Sequence, residues 1–381
     1  PIHIAGEQRG RIIHDRGGLA KSTASQRYPA RGGDARIGRT QAGSGPIYPA
    51  HRKPPVSTSK VVLCYPVEAR HCEQIARVDP AIELVDAGQS GIAEKLLEAD
   101  IFIGHAKVPV PWDEVVRQGR LQWIQSSAAG LDHCLVPAVL DSAIPVSGVS
   151  GLFAIQVAEQ TLAMLLGLVR SMPTFYRAQQ QKEFTRRPTG DLHGMTVGIV
   201  GLGGNGRQIA RALAPLGVRI LATDLFPCPP PDEVEVVLPA DQLDSILPEL
   251  DVLILSAPLT PATLGMIGRQ QLSALKQGAI LVNVARGPLV IEEDLVAALE
   301  SGQIAGAALD VTEVEPLPVE SPLWELPGVI ITPHVGAQSG RRIDETTTFV
   351  CENLRRFLDG DPLENLVDKQ IGFPRPPHAL P

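Results

Sequence analysis

The sequence predicts an α/β protein built on two parallel sheets, and three features of its 381 residues support that prediction. Short apolar runs alternate with helical segments, as in parallel sheets whose faces are covered by helices. The alternation occurs in two series, which are separated by a long apolar helix predicted at residues 153–172. A glycine-rich turn then opens the second series, directly between a strand and a helix. A chain of this length has room for about two domains.

The first series begins where the apolar run KVVLCYP starts, at residue 60. Its predicted strands are bounded by Pro, Gly or charged residues, and helical segments lie between most of them. The predicted strands are 60–66, 81–88, 101–106 and 121–127, and the predicted helices are 91–100 and 112–119.

The second series contains six predicted strands with helical segments between most of them, which suits a doubly wound sheet. We therefore predict two such sheets in one chain. The six strands are 196–201, 219–224, 252–258, 279–285, 306–311 and 328–333.

Composition narrows the class of protein. Apolar residues make up 44% and charged residues 20%, which is ordinary for a soluble globular protein. The longest apolar run, TLAMLLGLV at 161–169, is too short to span a bilayer. Five scattered cysteines without a CxxC spacing argue against a zinc site or a disulfide framework, so we expect no metal and a cytoplasmic location.

Charge is distributed unevenly along the chain. Residues 1–58 hold 10 Lys/Arg and 3 Asp/Glu, whereas the whole chain has a net charge of −8. The acidic remainder is not expected to bind nucleic acid. We predict that residues 1–58 form a disordered, dispensable basic tail, because they lack an apolar period. Three other interpretations of residues 1–58 stay open: a tail that binds a partner, a targeting segment, or a stretch that is not part of the working protein. Residues 371–381 are predicted to be a flexible C-terminal tail.

The glycine-rich turn lies in TVGIVGLGGNGRQIARALAPLG, at residues 196–217. Gly201, Gly203 and Gly206 form G-x-G-x-x-G between a β-branched strand and a helix, the pattern of a dinucleotide-binding turn. Asp224 ends the next strand, where an acid accepts hydrogen bonds from the adenosine ribose and repels a 2′-phosphate, so we predict NAD rather than NADP. Asn205 is unusual there, and we expect its side chain to approach the pyrophosphate or a backbone group. The predicted pyrophosphate site comprises Gly201, Gly203, Gly204, Asn205 and Gly206.

Four polar residues lie at or just beyond the ends of predicted strands of the second series: Arg286, Asp310, Glu315 and His334. In open α/β sheets, ligands bind beyond the carboxyl ends of the strands. An arginine there can hold a carboxylate through two parallel hydrogen bonds. A glutamate beside a histidine orients the ring and favours its protonated form. Together they predict a catalytic site for an acidic substrate.

With these motifs in place, the sequence resembles the D-isomer-specific 2-hydroxyacid dehydrogenases over about residues 60–370. Several separated motifs occur in that family's order, which makes the resemblance specific. They are SSAAGLDH (126–133), VAEQTLAMLLGLVR (157–170), VGIVGLGGNG (197–206), PLTPATLGMIG (258–268), LVNVARGPLVIEEDLVAALESGQIAGAALDVTEVEPLP (281–318) and LWELPGVIITPHVG (323–336).

The resemblance implies a role for each site residue. Arg286 would bind and polarise the α-keto acid group, His334 would be the acid/base, and Glu315 its partner. Backbone N–H groups of Ala129 and Gly130 would hold the substrate carboxylate. Asp310 would face the nicotinamide amide. The residues implied to line the cofactor are Ala257, Pro258, Thr263, Val284, Ala285 and Asp310.

The resemblance also implies an inserted domain. A Rossmann NAD-binding domain, residues 156–335, would interrupt a flavodoxin-like substrate domain formed by residues 59–155 and 336–370. A helix at 346–360 would return to the substrate domain, and the active site would lie in the cleft between the domains. The helix at 153–172 would carry a homodimer interface.

Several alternatives stay open. Formate dehydrogenases of this scaffold carry Gln where Glu315 stands, so Glu315 favours a hydroxy acid. Some relatives are NAD-sensing corepressor scaffolds, and others oxidise 3-phosphoglycerate. The chain ends soon after LENLVD at 363–368, which favours a glyoxylate or hydroxypyruvate type of reductase. Lys107 is either a contact for a phosphate or second carboxylate, or a solvated lysine.

Overall fold

A computed structural model describes residues 59–376, so the predicted basic tail, residues 1–58, and residues 377–381 lie outside the described chain. The described part contains two parallel β-sheets, of five and seven strands, and one two-stranded antiparallel pair. The predicted fold class, with two parallel α/β sheets, is therefore confirmed. Within residues 59–376, no helix is both long and apolar enough to cross a membrane.

The first sheet has the strand order β2-β1-β3-β4-β5, and every neighbouring pair is parallel. All four predicted strands are present. A two-residue fifth strand and two short helices were missed, because each is too short to show a period. The elements are β1 (Ser59–Cys64), α1 (Ala69–Ala76), β2 (Ile82–Asp86), α2 (Gly88–Lys95), β3 (Ile101–Gly104), α3 (Trp112–Gln118), β4 (Trp123–Ser126), α4 (Pro137–Leu140) and β5 (Val146–Ser147).

The long helix predicted at 153–172 is α5 (Ala154–Val169), and a helix that was not predicted, α6 (Met172–Gln180), follows it after two residues. The break falls at Ser171, whose φ of 56° lies in the left-handed region. Pro173 then occupies the first turn of α6, where its missing N–H costs no helical hydrogen bond. The apolar run ends at Val169, and the polar Arg170 and Ser171 separate the two helices.

The second sheet has seven parallel strands rather than the six predicted, in the order β12-β11-β10-β9-β6-β7-β8. The strand that was missed lies at the sheet edge, is only half-buried, and follows charged residues instead of standing in an apolar run. The elements are β6 (Thr196–Val200), α7 (Gly204–Leu213), β7 (Arg219–Asp224), β8 (Val236–Pro239), α8 (Leu243–Ile246), β9 (Val252–Leu255), α9 (Arg269–Ala274), β10 (Ala279–Asn283), α10 (Glu292–Glu300), β11 (Ile304–Leu309) and β12 (Val329–Ile331).

The strand order reverses around β6, which pairs with β7 on one side and β9 on the other. Such a reversal leaves a crevice at the carboxyl ends of the strands, because the connections on either side leave in opposite directions. The glycine-rich turn follows β6 directly. The topology therefore places this turn where open α/β sheets bind ligands.

The last long helix, α11 (Arg342–Asp359), returns to the first sheet. Phe357 stacks on Trp123 with ring centroids 5.0 Å apart. The side-chain amide of the buried Asn353 donates to Gln125 Oε1 over 2.7 Å and to the carbonyl oxygen of Glu364 over 3.1 Å. These contacts attach α11, which follows the last strand of the second sheet, to the first sheet.

The C-terminal segment differs from the expected flexible tail. Strands β13 (Val367–Asp368) and β14 (Phe373–Pro374) form an antiparallel pair. Arg375 donates to Asp368 over 2.5 Å, and its guanidinium lies 5.5 Å from the ring centroid of Phe226. Composition alone did not reveal this order, because it depends on contacts with residues distant in the sequence.

Candidate active site

The glycine-rich turn shows why each glycine stands where it does. Gly201 has a φ of 90°, and a Cβ there would lie 2.8 Å from the backbone nitrogen and Cα of Ala257. A Cβ on Gly206 would overlap the carbonyl oxygen of Gly201. Gly203, at the start of α7, differs because a Cβ there would meet no described atom within 4 Å. This open space beside a helix N-terminus fits a pyrophosphate group.

Asp224 closes β7 and ties the turn to the neighbouring loop. Its Oδ2 accepts from the N–H of Leu202 over 2.6 Å, and its Oδ1 accepts from the N–H of Phe226 over 2.8 Å. A carboxylate at the end of this strand is in place for the ribose hydroxyls of a dinucleotide. The half-buried side chain of Asn205 makes no hydrogen bond within residues 59–376, so the expected bond to a backbone group is not formed.

The other residues expected to line the cofactor follow the carboxyl ends of β9 and β10. Ala257, Val284 and Ala285 are buried, and Ala257 packs against Gly201. The hydroxyl of Thr263 donates to the carbonyl oxygen of Pro258 over 2.7 Å, which closes the turn after β9. These positions form one continuous rim with the glycine-rich turn.

Arg286 follows β10 and reaches the turn after β4 of the other sheet. Its Nε donates to Asp132 over 3.1 Å, and the side chain of the buried Asn283 donates to its carbonyl oxygen over 2.9 Å. A Cβ on Gly130 would overlap the guanidinium of Arg286, so only glycine permits this approach. The N–H groups of Ala129 and Gly130 find no acceptor within the described residues. Two free N–H donors beside a guanidinium suit a carboxylate ligand.

His334 lies in a turn directly after β12, with a φ of 53°. Its Nδ1 lies 2.9 Å from Glu315 Oε2, and both side chains are partly open to solvent. Burial favours the neutral acid of Glu315, but the hydrogen bond and charge of His334 outweigh it and hold the pKa of Glu315 below its usual range. The carboxylate is therefore charged beside the ring near neutral pH.

Asp310 holds the turn that carries His334. Its buried carboxylate accepts from Thr332 Oγ1 over 2.6 Å and from the N–H groups of Val335 and Gly336 over 2.9 and 2.8 Å. The N–H of His334 donates to the carbonyl oxygen of Asp310 over 2.8 Å. The contact with a nicotinamide amide stays a prediction, because these bonds direct the carboxylate to the turn.

The three predicted catalytic side chains share one rim because β10, β11 and β12 are adjacent and parallel. The loops after β10 and β11 also touch, since a Cβ on Gly287 would overlap the carbonyl oxygen of Thr312. The site combines a fixed cation, a histidine with a charged partner and free N–H donors. Within residues 59–376, no group of three or more His, Cys, Asp or Glu side chains is arranged to hold a metal.

Sequence reasoning missed a pair of histidines beside Arg286. The rings of His105 and His133 stack with centroids 4.0 Å apart. Burial lowers the pKa of His105 to about 4 and that of His133 to about 3, so both rings are neutral at pH 7. His133 and Asp132 both lie within the motif SSAAGLDH, which was the available signal. Lys107 is exposed, and its ammonium has no partner among the described residues.

Comparison with known proteins agrees with this geometry. Residues 162–336 match the family model described as D-isomer specific 2-hydroxyacid dehydrogenase, NAD binding domain. The D-3-phosphoglycerate dehydrogenase of Methanocaldococcus jannaschii is 32% identical over 299 residues, which are 78% of this chain but only 56% of that protein. The glyoxylate reductase of Korarchaeum cryptofilum is 32% identical over 292 residues, 75% of this chain and 88% of that protein.

A solved structure shows the same fold. The NADPH-dependent glyoxylate/hydroxypyruvate reductase of Sinorhizobium meliloti, in complex with NADP and sulfate, superposes with a TM-score of 0.72 and 28% identity. The match covers 82% of this chain and 99% of that one. These relatives are named as dehydrogenases and reductases, and the corepressor alternative gains no support from them.

Proposed function

The chain belongs to the D-isomer specific 2-hydroxyacid dehydrogenase family, and we propose that it interconverts 2-keto acids and D-2-hydroxy acids with a nicotinamide dinucleotide. One observation carries the proposal: Arg286, Glu315 and His334 converge at the carboxyl ends of adjacent strands, with His334 Nδ1 only 2.9 Å from the Glu315 carboxylate. This set combines an anion-binding cation with a positioned acid/base, which keto-acid reduction requires.

Substrate binding is assigned to Arg286 and to the backbone at Ala129 and Gly130. The free N–H groups donate to the substrate carboxylate, and the guanidinium holds the keto acid group and polarises its carbonyl. Asp132 and Asn283 keep Arg286 in place, through bonds to its Nε and its carbonyl oxygen. Fixing the substrate in this way lowers the entropic part of the barrier.

Proton transfer is assigned to His334. Its Nδ1 faces Glu315, so Nε2 is the nitrogen left for the substrate oxygen. In the reducing direction the protonated ring donates to that oxygen, and in the oxidising direction the neutral ring accepts from the hydroxyl. The charged Glu315 stabilises the protonated ring. A bound nicotinamide dinucleotide supplies or accepts the hydride.

The cofactor is proposed to be NAD(H) rather than NADP(H). The Asp224 carboxylate stands at the end of β7, where it would face a 2′-phosphate at close range. Leu225, Phe226 and Pro227 follow it, so no arginine comes directly after it to compensate. The reductase of S. meliloti is described with NADP, which makes cofactor preference a direct test of Asp224.

Two substrate types are considered, a small keto acid such as glyoxylate or hydroxypyruvate, and 3-phosphoglycerate. The chain spans 88% of the K. cryptofilum glyoxylate reductase and 56% of the M. jannaschii phosphoglycerate dehydrogenase, so each substrate type has a named relative of this chain. The test is initial-rate assay of the full chain with glyoxylate, hydroxypyruvate and pyruvate, with NADH or NADPH, and 3-phosphoglycerate with NAD. Oxidation of NADH by at least one keto acid is expected, and any product formed from hydroxypyruvate or pyruvate should be the D-hydroxy acid. Nucleotide turnover absent with every acid would refute the proposal.

A homodimer through the segment that contains α5 and α6 is also proposed. Three large apolar side chains in this part of the chain, Ile155, Tyr176 and Phe184, are exposed. Their burial against a second copy would remove apolar surface from water. Light scattering of the full chain tests this, because a monomer at micromolar concentration contradicts the proposal.

The domain boundaries and location follow from the same assignment. The NAD-binding domain is proposed at 156–335 and the substrate domain at 59–155 plus 336–370, with α11 packed on the first sheet as a supporting observation. A cytoplasmic location is proposed because all five cysteines are free thiols, which suits a reducing compartment.

A further inference from the structure

Arg342, the first residue of α11, is a half-buried cation without an acidic partner. Its guanidinium carbon lies 5.2 Å from the ring centroid of Phe153. No salt bridge or side-chain hydrogen bond of its guanidinium is found within residues 59–376. The preceding Arg341, by contrast, pairs with Glu345 over 3.4 Å. A partly dehydrated cation without a counter-ion is costly unless a ligand completes it.

Arg342 begins a helix whose first turns lie at the carboxyl end of the first sheet. The hydroxyl of Tyr65, directly after β1, lies 3.1 Å from Oγ1 of Thr347, five residues after Arg342. The N–H of His105, directly after β3, donates to the carbonyl oxygen of Cys64 over 2.8 Å at the same end of that sheet.

Burial is the main cause of the low pKa of His105, and the positive charges of Lys107, Arg286 and Arg342 lower it further. The ring of His105 therefore lies within electrostatic reach of all three cations. Arg286 belongs to the proposed catalytic set, and its Nε donates to Asp132 over 3.1 Å in the turn after β4 of the first sheet.

Negative charge in this region is already engaged. Asp132 accepts from Arg286 over 3.1 Å, and Glu315 is occupied by His334. The stacked His105 and His133 rings are neutral at pH 7 and so add no charge. Among the described residues, Arg342 and Lys107 are therefore cations that no carboxylate neutralises in an ion pair.

We propose that Arg342 binds a second anionic group at the far end of the substrate, so that the preferred substrates are keto or hydroxy acids with a second carboxylate or a phosphate. This inference rests on the proposed function. The planar guanidinium offers parallel N–H donors to either group, and Phe153 supports its plane. Lys107, exposed and unpaired, adds positive charge without fixed geometry.

The alternative is a purely structural stack of Arg342 on Phe153. In that case, loss of the guanidinium would lower thermal stability and change all substrates alike. Anion recognition instead predicts an effect that depends on whether the substrate carries the second anionic group. Substrate dependence of KM therefore separates the two roles.

The experiment compares the full chain with Arg342→Gln, Arg342→Lys and the matched control Arg341→Gln. Each is assayed for reduction of glyoxylate and pyruvate, which have one anionic group, and of oxaloacetate, 2-oxoglutarate and phosphohydroxypyruvate, which have two. We expect Arg342→Gln to raise KM for at least one doubly charged acid roughly tenfold or more, as for loss of a charged hydrogen bond. KM for glyoxylate should change less than about threefold, Arg342→Lys should recover part of the loss, and Arg341→Gln should match wild type.

If Arg342→Gln changes KM equally for singly and doubly charged acids, or for neither, the inference about Arg342 is overturned. The proposed function still stands in that case, provided that the wild type turns over glyoxylate. If wild type reduces no acid, the proposed function fails instead. Calorimetry with inorganic phosphate then decides the role of Arg342 by itself. Binding to wild type and Arg341→Gln that is lost in Arg342→Gln supports the anion site, and binding that is absent or equal in all three refutes it.

Discussion

The carboxyl rim of the seven-stranded sheet and the carboxyl rim of the five-stranded sheet are built in different ways. On the first, both oxygens of Asp310 are bound to the His334 turn, Glu315 holds the ring, and Asn283 fixes the backbone of Arg286. On the second, the turn after β4 offers the N–H groups of Ala129 and Gly130, which have no acceptor within residues 59–376. Nearby Lys107 is an exposed side chain without a partner among the described residues.

This difference separates reaction from recognition. Side chains that exchange a proton must be held to a fraction of an ångström, so they follow strands and are bound from several sides. Groups that select a substrate need only match its far end, and loops serve that purpose while the scaffold stays constant. We therefore expect substitutions on the seven-stranded side to affect turnover most, and those on the other side to affect binding.

The largest effect is expected for His334→Ala. A general acid contributes about 100- to 10,000-fold, so kcat for keto-acid reduction should fall by a factor in that range. NADH binding, measured by fluorescence titration, should persist because Gly203 and Asp224 are unchanged. His193→Ala, an exposed histidine at the start of the second sheet, is the control and should keep full activity. A kcat within threefold of wild type in His334→Ala would show that His334 is not the acid/base of the reaction.

The next effect tests the contact that joins the two rims. A Cβ in Gly130→Ala would displace the guanidinium of Arg286, whose flexible side chain can move without disturbing the fold. We expect kcat/KM to fall by roughly 100-fold, because a misplaced binding group loses the aligned geometry. The melting temperature should stay near that of wild type. Gly91→Ala in α2, where a Cβ finds ordinary space, is the matched control. Unchanged kcat/KM would show that Gly130 and Arg286 do not act together.

Sequence and structure agree best where local chemistry dictates position. The strand–turn–helix pattern around Gly201 and the polar residues after strands are local signals, and they predicted both sheets and the candidate set. Two contacts join residues that are distant in sequence: the ion pair of Arg286 with Asp132 and the stack of His105 on His133. Hydrophobic periodicity is a local signal, so it could not predict them. The edge strand β8 was missed because it is half-buried and follows charged residues, and the pair β13–β14 was missed because each strand has only two residues.

A smaller effect is expected at the cofactor end of the seven-stranded side. Asp224→Asn removes the negative charge but keeps one acceptor for the N–H groups of Leu202 and Phe226. Without that charge a 2′-phosphate is repelled less, so the ratio of kcat/KM for NADPH over NADH should rise roughly tenfold. Asp232→Asn, later in the same connection, is the control. A wild-type preference for NADPH would contradict the role proposed for Asp224.

The smallest and most specific effect is expected for Glu315→Gln, which keeps a hydrogen-bond partner for His334 but removes its charge. The pKa of Glu315 is held below its usual range, so the wild-type carboxylate is ionised throughout the pH interval in which a histidine titrates. Loss of this charge removes an attraction that favours the protonated ring in wild type, so the pH profiles of both reaction directions should move.

Reduction needs the protonated ring, so its kcat/KM should begin to fall at lower pH in Glu315→Gln than in wild type. Oxidation needs the neutral ring, so its rising limb should also move to lower pH. Glu313→Gln, a neighbouring acid that instead accepts from the N–H of Glu292, is the control and should leave both profiles in place. The measurement is the pH dependence of kcat/KM in both directions. If the limbs of the two pH profiles move in opposite directions, or stay at the wild-type pH, Glu315 does not assist proton transfer by His334.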